Sequence, residues 1–412
     1  MMRCTKLLFI GLACLGGSLQ AQPAYDLAQL ERLALESSRS VLAAREQLNA
    51  ARSAVDSAAA FPNPEIEYLS GTLRSRGVGG NLGDARSASL TQPLDLPWLR
   101  SARIGAAEAG LAATDAAVRA FEAQLLAGVR LRHYDVLRRQ AELKNAREDA
   151  ALMEGVRARI ALRVELGEAP RFELIKADAE MLNAQKAVQV AEFRVGQAGA
   201  QLRQLVGAAL PADFMLKGLL SDVPAVPPAD VVRRSLPGIS PDLARARAET
   251  VRAERLLDYE KQQRWPRLAL KASVSEEPDT RSSQFGVVVS VPLWDRRRGP
   301  VGEAAAQLAR ARHELAAQEF TLDQQLDIAY QQYEIAQAQV AALESGIVRQ
   351  AEAALKVAEA AYKFGERGFL EVLDAQRVFR AARGELIAAR YELAAAWVEI
   401  ERLRAVPEGQ AQ

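Results

Sequence analysis

The sequence is poor in the side chains that most often bind soft metal ions or act as nucleophiles. It has two cysteines, two histidines and five methionines among 412 residues. Both cysteines, Cys4 and Cys14, lie within the first 14 residues, so the rest of the chain can form no disulfide, thiolate metal site or cysteine nucleophile. His133 and His313 begin no ligand motif and belong to no catalytic triad, and helix-surface positions are predicted for both. The sequence therefore contains no soft-metal relay.

A large charge of one sign is also absent. The 53 basic side chains nearly balance the 52 acidic ones, and 49% of the residues are hydrophobic. A basic nucleic-acid face and a disordered chain are both excluded by this composition, and no nucleic-acid partner is expected. Beyond the first residues no stretch approaches the roughly 18 to 20 apolar residues of a membrane-spanning helix. If the protein enters a membrane, it must do so with strands.

The first 21 residues have the pattern of a secretory signal peptide. A short basic start is followed by the apolar run from Leu7 to Gly17 and by small residues up to Ala21. Cleavage after Ala21 would leave an exported chain without cysteine. Lipid attachment at Cys14 is the alternative, but Gly11 stands where a large apolar residue is usual, three places before the cysteine.

Two halves of about 200 residues repeat each other. The segment Leu166 to Leu174 aligns with Phe364 to Val372 at an offset of 198, and Gln92 to Asp95 aligns with the segment around Pro292 at an offset of 199. We predict a signal peptide at 1–21, a first repeat at 22–206, a proline-rich linker at 207–238, a second repeat at 239–406 and a tail at 407–412. Five prolines make a continuous helix through the linker improbable, so it is expected to pack outside the main body.

Each half is predicted to contain a helix, two strands, a very long helix, a glycine-centred break and a return helix. In the first half these elements are Tyr25 to Ala60, Pro64 to Leu73, Ala85 to Leu96, Leu99 to Arg163 and Pro170 to Leu205. In the second half they are Pro241 to Arg264, Pro266 to Glu276, Ser283 to Leu293, Pro300 to Lys363 and Leu370 to Ala405.

The long helix of the second half carries two seven-residue series of apolar residues. One consists of Leu326, Tyr333, Val340 and Ile347, and the other of Leu315, Leu322, Ala329, Ala336 and Leu343. This spacing predicts coiled-coil packing with a left-handed supercoil, and the alanines favour a close approach of the helices. A helix of about 65 residues would form a rod of roughly 100 Å. The fold class is therefore mainly α, with a hairpin of two strands in each half.

The predicted strands alternate apolar and polar side chains over about 9 to 11 residues, the length of a tilted transmembrane strand. The apolar members are Ile66 and Tyr68, then Ala88, Leu90, Leu94 and Leu96, then Leu268, Leu270, Ala272 and Val274, and finally Phe285, Val287, Val289, Val291 and Leu293. Aromatic residues mark the four points where a strand meets a helix: Phe61, Trp98, Trp265 and Trp294. Because indole rings prefer the headgroup level of a bilayer, they predict a membrane-interface belt in contact with outer-membrane lipid. A soluble sheet with core tryptophans is the alternative.

Four strands cannot close a barrel, and a bilayer does not tolerate an open sheet edge. The chain is therefore expected to oligomerise. Three copies would supply twelve strands, enough for a barrel with a lumen, and would gather the helices into a tube below it.

These features resemble the TolC-like family of outer-membrane efflux proteins over nearly the whole mature chain. The most specific matches are the two glycine-centred turns, Arg163 to Leu174 and Tyr362 to Gln376. Two further segments, Phe61 to Glu65 and Ala102 to Ala109, are more similar to the heavy-metal, CzcC-like branch than to the drug or protein-export branches.

The resemblance implies a homotrimer in the bacterial outer membrane that extends into the periplasm. A periplasmic membrane-fusion adaptor and an inner-membrane pump of the RND type would be its partners. The pump would supply the energy, so the chain is expected to be a passive channel for metal cations, with no enzyme activity, cofactor or resident metal. Drug efflux, type I protein secretion and a pore-less periplasmic scaffold remain as alternatives.

The resemblance also implies a periplasmic gate. Glu371 and Asp374, three apart on one helix, would form a ring of six carboxylates in a trimer, which would select cations. Tyr362 and Arg367 match positions that latch the aperture by bonding to a neighbouring tip, and Glu173 matches their acidic partner. A solvated acidic helix face is the plainer interpretation of the carboxylates.

The two turns are expected to dock the adaptor. Gly167 and Gly365 would permit tight turns, Gly368 belongs to the second docking tip, and Pro170 replaces a small polar residue that is more usual in the family. The apolar contacts offered to the adaptor would come from Leu166, Ala169, Phe172, Phe364, Phe369 and Leu370.

Overall fold

A computed structural model describes residues 24–73 and 83–404 of the chain. The predicted signal peptide with both cysteines, most of the loop between the first two strands, and the predicted tail lie outside the described residues.

The first half begins with a two-residue strand and two helices, and continues through a hairpin into a long helical pair. Its elements are β1 (Ala24–Tyr25), α1 (Leu27–Ser37), α2 (Arg39–Ala59), β2 (Glu65–Leu73), β3 (Gly83–Leu94), α3 (Pro97–Glu165) and α4 (Arg171–Val206). Helix α3 has 69 residues without interruption, which at about 1.5 Å per residue makes a rod of roughly 100 Å.

The second half repeats this order after a short connecting region. That region holds β4 (Met215–Leu216) and α5 (Ala229–Ile239), and the half itself consists of α6 (Pro241–Gln262), β5 (Arg267–Glu276), β6 (Arg281–Ser290), α7 (Arg298–Ala342), a π-helical turn (Leu343–Ile347), α8 (Val348–Lys363) and α9 (Phe369–Arg404). The predicted order of helix, hairpin, long helix and return helix is confirmed in both halves. None of the helices among the described residues is both long and apolar enough to cross a bilayer.

The four longer strands form one antiparallel sheet in the order β2-β3-β5-β6. Strand β3 pairs with β5 and so joins the two halves. The register aligns Ile66, Leu90, Ala272 and Phe285 across the sheet, and aligns Tyr68, Ala88 and Val274 in the next row of the same face. The predicted alternation is therefore confirmed.

The other face of the sheet carries polar contacts. Ser89 donates a hydrogen bond to Glu67 at 3.2 Å, and the Lys271 ammonium lies 3.9 Å from the same carboxylate. Two strands end earlier than predicted, at Leu94 and Ser290, because Pro97 begins α3 and Pro292 has no N–H to extend the ladder.

Small side chains set the spacing between the long helices. Ala177, Ala184, Ala191 and Ala198 lie seven residues apart along α4, and all four are buried. Helix α4 packs along α3 through this series. Because alanine adds little bulk beyond the backbone, it permits the close helix approach that the sequence predicts.

The heptads of the second half are interrupted once. Leu322, Ala329, Ala336 and Leu343 are buried as predicted, but the next buried residues are Ala351 and Leu355. The step from 343 to 351 is eight residues because the π-helical turn holds one extra residue. Ile347, predicted in the core series, lies in this turn and is 50% exposed.

Two further predictions are corrected by the fold. The predicted helix from Tyr25 to Ala60 is divided, because Ser38 has an extended backbone, with ψ at 121°, and separates α1 from α2. Tyr25 belongs to β1, which pairs in parallel with β4.

The predicted linker is not outside the main body. Leu210, Leu220, Val232 and Leu236 are each buried and belong to the same apolar clusters as the long helices. Its prolines do prevent a long helix, and α5 is the one helical segment between Gly207 and Ile239. Short apolar stretches between the prolines are sufficient to bind this region to the helices.

The middle of α3 is buried on several sides. His133 is 4% exposed and stacks edge-on with Tyr134 at 5.4 Å between ring centroids. Its Nδ1 has no hydrogen-bond partner among the described residues. The predicted surface position is thus wrong for His133, because α1, α4, α6 and α9 all contact α3, and correct for His313, which is exposed.

The burial of His133 predicts a pH-dependent stability. Desolvation lowers the pKa of His133 from 6.5 to about 4, and the nearby Asp26 carboxylate opposes this in part. In the unfolded chain the imidazole binds a proton below about pH 6.5, whereas in the folded chain it stays neutral until about pH 4. The free energy of unfolding should therefore fall as the pH is lowered from about 6.5 to about 4, by at most about 3.4 kcal/mol.

The measurement is denaturant unfolding of the wild type, His133→Gln and His313→Gln between pH 4 and 7. His133→Gln should lose part of the pH slope, and His313→Gln should retain all of it. Equal slopes in all three proteins would contradict the assignment.

Candidate gate at the helix tips

Two equivalent turns close the end of the helices that lies opposite the sheet. In the first, Gly167 donates to the Val164 carbonyl at 3.1 Å and Glu168 donates to Arg163 at 2.8 Å. In the second, Gly365 donates to Tyr362 at 3.1 Å and Glu366 donates to Ala361 at 2.9 Å. Both patterns are Schellman caps, which need a left-handed residue directly after the helix.

Glycine supplies that residue in both turns. Gly167 and Gly365 each have φ at +77°, a conformation that other residues adopt only at a steric cost. Pro170 is the N-cap residue directly before the return helix α4, where its missing N–H costs no helical hydrogen bond. The predicted glycine-centred turns are confirmed. Helix α3 of the first half and helix α8 of the second half end in the same geometry.

The apolar residues of the turns fall into two groups. Leu166, Phe172, Phe364 and Leu370 are between 55% and 75% exposed. Ala169 is half-buried and Gly368 is exposed. Phe369, however, is 1% exposed and packs with Ile160, Ala177 and Tyr362. The predicted adaptor contact at Phe369 is therefore wrong, since its ring fills the space between the two hairpins.

Tyr362 links the two turns. Its hydroxyl donates to Glu173 at 3.2 Å, its ring lies beneath the Arg163 guanidinium at 4.9 Å, and the Phe369 ring is 6.1 Å away. Burial, together with the Glu173 carboxylate, raises the pKa of Tyr362 above its usual range. The phenol stays protonated as the hydrogen-bond donor well above neutral pH.

Arg367 bonds within its own turn. Its Nη1 lies 2.6 Å from Glu371 Oε2, and both side chains are at least half exposed. Within one chain, Arg367 therefore contacts Glu371 and not Glu173. An exposed pair four residues apart contributes only about 0.3 to 0.5 kcal/mol, so this contact can exchange readily for another.

The two predicted gate carboxylates are at the surface of α9. Glu371 and Asp374 are exposed, whereas Val372 and Leu373 between them are buried. The helix thus turns its apolar side toward the hairpins and leaves both carboxylates available to solvent or to another chain.

A cavity of about 540 Å³ lies between α3 and α8 just above the turns. Four basic side chains line it: Arg159, Arg163, Lys356 and Lys363. Glu359 also lines it, and its Oε1 is buried without a hydrogen-bond partner among the described residues. No role for these side chains was predicted from the sequence. Arg159 and Arg163, four apart on α3, and Lys356 and Lys363, seven apart on α8, were the available signal.

At the other end of the helices, the four aromatic residues of the predicted belt are exposed. Phe61, Trp98, Trp265 and Trp294 have exposed fractions of 70%, 48%, 61% and 95%. The Arg100 guanidinium lies 4.7 Å from the Phe61 ring centroid. None of the four is a core residue, so the alternative of core tryptophans in a soluble sheet finds no support at these positions.

Nothing in the described part of the chain has the geometry of a metal centre. No three side chains from histidine, cysteine, aspartate and glutamate lie close enough there to hold an ion. The carboxylates at the tips are separate surface groups within one chain.

A family model described as outer membrane efflux protein matches residues 30–208 and 236–405. The two matched segments contain the four strands, the long helices and both turns. Between them lies the region that holds β4 and most of α5.

Two curated relatives are heavy-metal resistance proteins. The cobalt-zinc-cadmium resistance protein CzcC of Cupriavidus metallidurans is 27% identical over 353 residues, which is 85% of this chain and 83% of CzcC. The nickel-cobalt-cadmium resistance protein NccC of Alcaligenes xylosoxydans xylosoxydans is 26% identical over 303 residues, which is 73% of this chain and 68% of NccC.

The fold is shared with solved channel structures. The outer-membrane channel OprN superposes with a TM-score of 0.79 at 20% identity, over 92% of this chain and 90% of OprN. At this identity the similarity shows the fold alone.

The bond between Tyr362 and Glu173 predicts how firmly the two turns are held together. Tyr362→Phe removes the hydrogen bond and keeps the ring, at a cost of about 0.5 to 1.5 kcal/mol. Hydrogen exchange measured by mass spectrometry should therefore become faster in peptides that cover residues 360–376. Tyr330→Phe is the matched control, because the Tyr330 hydroxyl donates to the Pro227 carbonyl at 2.6 Å, far from the turns. Unchanged exchange at the turns in Tyr362→Phe would contradict a linking role.

Proposed function

Because the chain belongs to the outer membrane efflux protein family, we propose that three copies form the exit duct of a tripartite system that exports divalent metal cations. Members of the family are channel proteins of the outer membrane that extend into the periplasm, and they are not enzymes. The partners in this proposal are a periplasmic adaptor at the helix tips and an inner-membrane pump of the RND type that supplies the energy.

The open edges of the sheet support the trimer. Among residues 24–73 and 83–404, strands β2 and β6 each pair on one side only, and a lipid environment offers no hydrogen bonds to the groups on their free edges. Pairing β6 of one copy with β2 of the next satisfies these groups. Three copies give twelve strands and a barrel with a lumen, lined by the polar face that carries Glu67, Ser89 and Lys271.

The relatives support metal cations as the cargo. CzcC and NccC are named for resistance to cobalt, cadmium, zinc and nickel, and the matches to both extend over more than two thirds of this chain. A passive duct needs no high-affinity metal site, since tight binding would slow the release of each ion. The scarcity of cysteine, histidine and methionine is compatible with such a duct.

The tip geometry supports a gate. In a trimer, three copies of Glu371 and Asp374 would place six carboxylates at the narrow end of the tunnel and favour cations over anions. The Tyr362 to Glu173 bond and the exposed Arg367 to Glu371 pair would hold the closed state weakly. Binding of an adaptor to Leu166, Phe172, Phe364 and Leu370 would then shift the population toward the open state.

Loss of the gene tests the proposed cargo. A deletion strain should become sensitive to divalent cobalt, zinc, cadmium or nickel in growth assays, and a plasmid copy should restore growth. Hydrophobic drugs and bile salts serve as the control compounds, and growth of the deletion strain in their presence should equal that of the parent strain. Sensitivity confined to drugs and detergents would replace metal export by general efflux, and defective secretion of a protein without metal sensitivity would replace it by protein export.

Single-channel recording in planar bilayers tests the gate. The double variant Tyr362→Phe with Arg367→Ser removes both weak contacts and should raise the open probability about fivefold or more, since about 1 kcal/mol corresponds to roughly fivefold in an equilibrium. The matched control is Tyr330→Phe with Arg310→Ser, because Arg310 forms an exposed pair with Glu314 four residues away at 2.7 Å.

The two outcomes that contradict the proposal are distinct. Equal open probabilities in the double variant and the control would remove the latch. Absence of any channel in the wild type would remove the duct itself and favour a scaffold without a pore.

A further inference from the structure

A cluster of arginines lies where the second hairpin meets its helices. Arg264 follows α6 and Arg267 is the first residue of β5. Arg296 and Arg297 precede α7, and Arg298 is its first residue. Strand pairing brings these two segments together, because Arg267 is opposite Ser290 in the register. The cluster therefore stands at one end of the sheet, at the level of Trp265 and Trp294.

Two of the five arginines have partners within the chain. Arg297 contacts Glu260 through Nε at 3.2 Å and Nη2 at 2.5 Å, and Arg267 donates to Gln263 at 3.4 Å. The side chains of Arg264, Arg296 and Arg298 take part in none of the hydrogen bonds or ion pairs of the described residues, and all three are exposed. A concentration of positive charge without acidic partners is thus left at this surface.

The backbone at this point is strained. Arg297 has φ at +51° and is the one residue other than glycine with a positive φ in the described ranges. Its N–H donates to Asp295 at 2.8 Å and its guanidinium contacts Glu260, and these contacts hold the left-handed conformation. Such strain persists where the surroundings over-determine it, and it is common at binding sites.

The helix that starts here adds to the positive potential. Arg297 is the N-cap of α7, a helix of 45 residues. The first N–H groups of a helix carry a partial positive charge that favours anions. The arginine side chains and the helix terminus therefore act in the same direction.

The equivalent junction of the first half has no such cluster. Arg100 and Arg103 contact Asp95 at 3.5 and 2.7 Å. Arg100 also donates to the Ala59 carbonyl, and Arg103 donates to the carbonyls of Ala58 and Ala60. These two guanidinium groups are used to join the strands to α2 and α3, so the exposed, unneutralised charge belongs to the second half alone.

We propose that Arg264, Arg296 and Arg298 bind the phosphate of an anionic phospholipid in the periplasm-facing leaflet of the outer membrane. This inference depends on the proposed membrane barrel, since it places Trp265 and Trp294 at the headgroup level. Trp294 is 95% exposed and Trp265 is 61% exposed, as is appropriate for rings that contact lipid. Arginine forms forked hydrogen bonds with phosphate oxygens, and basic clusters at a membrane surface favour anionic lipids. A trimer would hold three such lipids around the barrel.

Quenching of tryptophan fluorescence by brominated lipids tests the proposal. The full chain is reconstituted in phosphatidylcholine vesicles that contain either dibromo-phosphatidylglycerol or dibromo-phosphatidylcholine. In the wild type, the anionic lipid should bind next to the tryptophans at least about fivefold more strongly than phosphatidylcholine. A single basic residue at a membrane surface contributes about 1 kcal/mol, which corresponds to this ratio. In the triple variant R264Q, R296Q and R298Q the two lipids should quench equally.

A control variant separates the site from net charge. R159Q, R194Q and R349Q remove the same charge from exposed helix positions away from the sheet, and the preference for the anionic lipid should persist. It should also persist with millimolar inorganic phosphate in the buffer and shrink in about 1 M salt, which shortens the Debye length to about 3 Å.

Each contrary outcome has one meaning. The lipid site would be overturned if the wild type bound the two brominated lipids equally strongly, or if the triple variant still bound the anionic lipid more strongly. Either result would leave the barrel intact. Loss of the preference in millimolar phosphate would assign the cluster to free phosphate and would also overturn it. If neither brominated lipid quenches the tryptophans, the membrane barrel itself fails.

Discussion

The close packing of long helices through small side chains is the constraint on which the rest of the structure depends. Four buried alanines at seven-residue spacing on α4 let that helix approach α3 along its length. A rod of roughly 100 Å results from the 69 residues of α3. The strands at one end and the glycine turns at the other are held apart by this rod. A change at the glycine turns can therefore reach the strands only through the helices that join them.

The second constraint is the open sheet. The backbone groups on the outer edges of β2 and β6 have no strand partner in the part of the chain that the structure describes, while the apolar face formed by Ile66, Leu90, Ala272 and Phe285 is directed away from the polar face. In the proposed trimer, association of copies would satisfy the edges, and lipid would cover the apolar face. The interface between lipid and water would then fall at the tryptophans, next to Arg264, Arg296 and Arg298 of the second half.

Much of the fold could be predicted because its signals are local and repeated. Alternation over ten residues identified the strands, and Gly167 and Gly365 marked turns whose φ angles require glycine. Two of the failed predictions concern features that a heptad pattern does not report. A heptad pattern reports contact with one neighbouring helix, whereas the middle of α3 has several neighbours, so His133 is buried although no apolar series includes it. The π-helical turn at Leu343–Ile347 inserts one residue that only the observed spacing reveals.

The tips show how an aromatic side chain can have a role that sequence position conceals. Phe369 stands beside the exposed Phe364 and Leu370, and in the repeat it aligns with Arg171, which is exposed. Its burial against Ile160, Ala177 and Tyr362 contributes about 1.5 to 3 kcal/mol, more than the single hydrogen bond from Tyr362 to Glu173. The stronger interaction keeps the hairpins packed within one chain, whereas the pair of Arg367 and Glu371 is exposed at the surface. In the proposed gate, an adaptor would therefore exchange the weak contacts of Tyr362 and Arg367 while the core around Phe369 stays packed.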